Sequence, residues 1–147
     1  MKYIFVVCAV FFAAPLSAQE INPCGWQTSA RNIVEPWPDN VRSFANGDVR
    51  IVNLDTIEPA VGFAYLMVMT PPFDELGGRE CVMISRGMGL GFAGVHFDTM
   101  TSQYDPAIGL TLEVVVNDYD PETSEAPLRM LRFTVNQATG EVAAILK

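Results

Sequence analysis

Histidine occurs once, at His96, and cysteine only three times, at Cys8, Cys24 and Cys81. A zinc site takes three or four nitrogen, sulfur or oxygen ligands, so zinc chemistry is short of ligands from the outset. Cations are scarce too: 9 Lys+Arg stand against 17 Asp+Glu, a formal net charge of −8. Nucleic-acid binding rests on clustered cations that neutralise phosphates, and this balance argues against it and against anionic lipid surfaces. There is no Gly-x-Ser-x-Gly elbow for a serine nucleophile and no Cys-x-x-Cys redox pair. Internal repeats and low-complexity runs are absent, as is any apolar run of the roughly 20 residues needed to cross a bilayer.

The N-terminus has a single early cation, Lys2, then an apolar run over residues 4–14, then Pro15-Leu16-Ser17-Ala18. Those are the parts of a secretory signal, and the expected cut follows Ala18. Residues 19–147 then form a single domain by length, with no transmembrane segment after cleavage. The expected location is the periplasm or outside the cell. Cys8 leaves with the signal. Cys24 and Cys81 remain, and an even count in an oxidising compartment reads as a disulfide. Chain entropy gives roughly 4 kcal/mol for closing a loop of that length. With Lys2 gone, eight cations face 17 carboxylates, so the exported part carries −9. Such a charge favours solubility and admits basic partners or divalent cations.

Residues 19–40 carry Pro23, Pro36 and Pro38 with Trp26 and Trp37, and show little periodicity. They read as an irregular segment tied down by Cys24, with the two indoles covering the edge of a core or offering a binding platform. Asn46-Gly47 between two extended runs predicts a hairpin, because both residues accept positive φ. Residues 62–70 are apolar on both parities, which predicts a central strand covered on both faces and stopped by Pro71-Pro72. Residues 73–80 read as a loop and 81–85 as a short strand. In residues 108–118 Leu110, Leu112, Val114 and Val116 alternate with polar positions, and in 128–136 Leu131, Phe133 and Val135 do so. A last strand holds Val142, Ala144 and Leu146. The fold class expected is mainly β: an antiparallel sandwich or open barrel of about seven strands with at most one short helix, placed over 99–104 and capped by Asp98.

Gly89-Leu90-Gly91-Phe92-Ala93-Gly94 matches G-x-G-x-x-G, but too little chain follows for a parallel crossover helix. It reads as a glycine-rich turn. His96 and Asp98 form His-x-Asp, in which a carboxylate orients an imidazole for base chemistry; no nucleophile can be assigned to them. Asp118, Asp120 and Glu122 place oxygens at alternate positions like the start of a calcium loop, although Thr123 and Arg129 stand where an EF-hand needs Gly and Glu. Calcium is the one cofactor this suggests. Met67, Met69, Met83 and Met130 read as core filling, and Met88 and Met100 alone are too few for a copper site.

Phe44-Ala45-Asn46-Gly47, the run Asp74-Glu75-Leu76-Gly77-Gly78-Arg79-Glu80-Cys81, the glycine-rich segment and Tyr104-Asp105-Pro106 together resemble uncharacterised small exported proteins of Gram-negative bacteria. The resemblance implies periplasmic residence and no activity. The function expected is non-catalytic binding of a protein partner, an envelope component or a small ligand. The alternatives are an enzyme using His96 and Asp98, and an envelope module stabilised by calcium at Asp118, Asp120 and Glu122.

Overall fold

The computed structural model describes residues 19–147, so the expected leader and Cys8 lie outside the described residues. The elements in chain order are β1 (Glu20–Pro23), α1 (Trp37–Asn40), β2 (Val41–Phe44), β3 (Val49–Asp55), β4 (Ala64–Phe73), β5 (Arg79–Ser85), β6 (Gly94–Asp105), β7 (Gly109–Asn117), β8 (Leu128–Val135) and β9 (Val142–Leu146). They form two antiparallel sheets, ordered β1-β5-β4-β3-β2 and β6-β7-β8-β9. Every strand pairing is antiparallel and most connections are short, which is what alternating strands divided by Gly and Pro turns produce.

The sheets face each other across one core. Val49, Ile51, Leu66, Val68 and Ile84 from the first meet Leu112, Val114, Val116, Leu131, Phe133 and Val135 from the second, all buried. Each fully buried side chain of this size contributes about 1.5–3 kcal/mol. A second, smaller cluster lies on the other face of the first sheet. Val52, Leu54, Tyr65, Met67 and Met83 pack there under Ile33, Val41 and the two disulfide cysteines. The sandwich is therefore asymmetric. The first sheet is covered on both faces, as the two-parity pattern of β4 predicts. The second turns its outer face, with Glu113, Arg132 and Thr134, to solvent.

The sides are closed differently. Along one, the Gln19 amide donates to the Ala144 carbonyl at 3.2 Å, joining the β1 and β9 edges. Along the other, Arg42 Nη1 donates to the Met100 carbonyl at 2.8 Å, and its guanidinium lies 5.4 Å from the Phe97 ring centroid.

Several expectations change. There are nine strands among the described residues rather than about seven, because residues 19–40 contribute β1 as well as three short helical turns and residues 94–105 form β6. The expected helix over 99–104 is the second half of β6 instead. Phe97 and Met100 sit three apart and are both buried because the β6–β7 register shifts between His96 and Thr101; a bulge imitates helical spacing. Asp98 is accordingly an exposed strand residue, not a cap. The one short helix is α1. Pro71-Pro72 does not stop β4 but falls in a second irregularity, between Thr70 and Phe73. Prolines are tolerated there because the ladder is already interrupted. Trp26 and Trp37 are both more than half exposed, so Cys24 and Ile33 do the covering instead.

Candidate functional site

The chemistry-bearing residues singled out in the sequence lie at several places in the fold. Cys24 and Cys81 are joined in a disulfide with a Cα–Cα distance of 5.4 Å. The Cys24 amide also donates to the Cys81 carbonyl, continuing the β1–β5 ladder. His96 is exposed on β6, with Nε2 2.8 Å from Asn117 Oδ1. Asp98 is exposed as well, and its carboxylate holds neither the imidazole nor any other group among the described residues. The two therefore form no acid–base pair in this arrangement.

In the acidic run, Asp118 Oδ1 accepts from Arg86 Nε at 2.6 Å. Asp120 Oδ1 accepts the Glu122 amide at 2.9 Å, and Oδ2 accepts the Thr123 hydroxyl at 3.1 Å. The Glu122 amide foremost, with Thr123 adding to it, holds the Asp120 carboxyl below the usual carboxylate range. Asp120 braces its own loop, whereas Asp118 ties that loop to Arg86. No three or more His, Cys, Asp or Glu side chains gather in one group among the described residues.

The glycine-rich segment is a tight turn followed by a close approach. Met88 and Gly89 have positive φ, and Gly87 and Leu90 exchange backbone bonds across them. Gly91 then packs so tightly under the first sheet that a Cβ would collide with the Ala64 carbonyl, while Phe92 bonds to Ala64 in both directions. The segment serves packing, and no helix follows it.

A different region does gather. The β2–β3 turn, the β4–β5 loop, the β6–β7 turn and the β8–β9 turn share one end of the sandwich. Arg79 fixes two of them: Nε donates to the Asp48 carbonyl, Nη2 donates to the Gly47 carbonyl at 3.2 Å, and its guanidinium lies 5.2 Å from the Phe73 ring centroid. Gly140 brings the β8–β9 turn against Pro71 and Pro72. Phe73, Leu76, Tyr104 and Ile108 stand exposed at this end, Leu76 almost completely at 97 %. Between the sheets opens a cleft of about 310 Å³ lined by Phe44, Ala45, Tyr104, Leu110 and Gln137. Four of these five side chains are apolar or aromatic, and the Gln137 amide and the Tyr104 hydroxyl are the neutral hydrogen-bonding groups. That volume is at the lower bound of small-ligand sites, roughly 300–1,000 Å³.

Backbone strain sits at the same place. Ala45 has φ 51°, followed by Asn46 at 57° and Gly47 at 94°. Left-handed geometry suits Asn and Gly but penalises Ala by about 1–2 kcal/mol. Strain of this kind persists where surrounding structure enforces it, and it concentrates at functional sites. The sequence offered one sign of this region: apolar Phe73 and Leu76 in a loop bounded by Pro71-Pro72 and Gly77-Gly78.

Against known proteins the chain stands apart: no protein-family model matches it, and no curated protein or solved structure shows significant similarity.

Proposed function

We propose that this chain is an exported, non-catalytic binding domain, and that it binds through the end of the sandwich carrying the Phe44–Tyr104 cleft. The observation that carries this reading is the convergence of four loops there, with Phe73, Leu76, Tyr104 and Ile108 exposed around an apolar cleft whose rim includes a strained Ala45. Exposed apolar groups scattered singly mean little, but a cluster round a concavity marks a binding surface. The Cys24–Cys81 disulfide supports residence in an oxidising compartment. The pairing of His96 with Asn117 rather than with Asp98 supports binding over catalysis.

The test is to purify the protein from the envelope of its own host and compare its native mass with its denatured mass. A retained mass that disappears in a Leu76→Asp/Ile108→Asp variant of unchanged thermal midpoint supports the reading. A retained mass indifferent to that variant moves binding to another face, and equal masses in the native and denatured states argue against a retained ligand.

A further inference from the structure

The cleft adjoins a second feature. β6 is an edge strand, bonded to β7 on one side only. Arg42 caps its other side at Met100, and beyond that residue the edge is uncovered. Residues 101–105 are all exposed, and no backbone bond of theirs reaches any other strand among the described residues. In an antiparallel ladder alternate residues turn both N–H and C=O away from the paired neighbour, so this stretch presents unpaired donors and acceptors. Proteins usually blunt such an edge with lysine, proline or a bulge. Thr101-Ser102-Gln103-Tyr104-Asp105 has neither lysine nor proline, and the bulge lies before it.

Side-chain space flanks the same stretch on both faces. Toward the core lies the apolar cleft, with Tyr104 opposite Leu110 in register. On the solvent face lies a polar groove of about 360 Å³ lined by Thr101, Ser102, Gln103, Thr111, Glu113 and Arg132. A strand added to an edge projects its side chains alternately to the two faces. One set would meet Phe44 and Tyr104; the other would meet hydroxyls, an amide and the Glu113–Arg132 pair, whose Nε–Oε1 distance is 3.8 Å.

We propose that the free edge of β6, residues 101–105, is a β-augmentation site for an extended, basic segment of a partner protein that alternates apolar and cationic residues. The inference rests on the binding reading above and names the class of partner. Charge decides the sign. Asp98 and Asp105 bracket the edge and Asp48 lies on the adjoining turn, against the one cation held at the edge, Arg42 at Met100, and the whole chain carries −8. Two copies pairing edge to edge would bring like charges together, whereas a cationic segment is drawn in. Main-chain bonds supply affinity in this mode, and the pockets for alternate side chains supply specificity.

A short synthetic peptide of alternating lysine and valine is the probe, titrated into the disulfide-bonded protein. Three results are expected together. Amide exchange slows at residues 101–105. An alternating glutamate–valine peptide binds about ten-fold or more weakly, a difference of about 1.4 kcal/mol. Methylating alternate backbone nitrogens of the lysine peptide weakens it by a similar factor, and so does Tyr104→Lys in the protein. Equal binding of the methylated peptide would reduce the interaction to charge and overturn the proposal. So would protection at any other strand, or no binding at all. Protection of 101–105 that grows with protein concentration and no peptide would make the occupant a second copy, which also overturns it. Loss of this proposal alongside a retained native mass that depends on Leu76 and Ile108 would leave the binding reading standing.

Discussion

Ile57 shows how much a single residue can be constrained without being buried. Its φ is 69°, its side chain is 78 % exposed, and its amide donates to Asp55 Oδ1 at 2.6 Å. A β-branched residue is strained in that region because its Cβ crowds the backbone, whereas Asn adopts it readily. Ile57→Asn is expected to stabilise the protein by about 0.5–1 kcal/mol, read as a higher denaturant midpoint at constant slope. A lower midpoint would show that the loop draws more from the exposed isoleucine than from relaxed geometry. Gly91 is the opposite case: it lies in the run the sequence marked as a glycine-rich turn, and the Ala64 carbonyl approaches too closely for any Cβ there. No property of Ile57 in the sequence distinguishes it from a core isoleucine, because its exposure depends on where the β3–β4 loop ends up.

At the scale of elements, the covalent tie and the acidic loop make separate predictions. Cys24 and Cys81 are 57 residues apart, and the bridge pins the segment that covers Tyr65, Met67 and Met83. Replacing both by serine is expected to lower stability by roughly 4 kcal/mol by the chain-entropy relation. Hydrogen exchange should then rise first around Ile33 and Leu54, which form an isolated bridge. Uniform loosening of both sheets would instead place the disulfide in the main core's cooperative unit. For the loop from Asp118 to Glu125, the carboxylates of Asp118 and Asp120 already accept bonds from Arg86, Glu122 and Thr123. Millimolar calcium is therefore expected to leave the thermal midpoint unchanged; a rise that Asp120→Asn abolishes would restore the calcium reading. The strands themselves were legible: β7 alternates throughout and β8 does so from Leu131 to Val135, because one face is core and the other water. β6 was not, because its bulge places Phe97 and Met100 three apart, and period alone cannot separate a bulged strand from one helical turn.

For the molecule as a whole, Tyr65 links folding to alkaline pH. It is 2 % exposed in the smaller cluster, and burial pushes its phenol above the ordinary 10.0. The folded state then holds the proton more tightly than the unfolded chain. This contribution is complete below the unfolded value and is lost as pH rises through it toward the raised folded value. Denaturant midpoints measured between about pH 8 and 12 should fall on the alkaline side, and Tyr65→Phe should flatten that fall. An equally steep decline in the variant would assign it to other groups.

The sequence by itself determined the β-rich class, the disulfide partners, the central two-faced strand and the acidic charge, because each follows from local period, residue type or a count. Tertiary structure alone decided which end of the sandwich gathers exposed apolar loops, and it paired His96 with Asn117 rather than with Asp98. Tyr104 and Leu110 are neighbours across one hairpin, but Phe44 lies far from them along the chain and meets them only when the two sheets pack. The uncovered edge of β6 has the same origin, since a strand is an edge only relative to the sheet order, and sheet order is a non-local choice that no local pattern encodes.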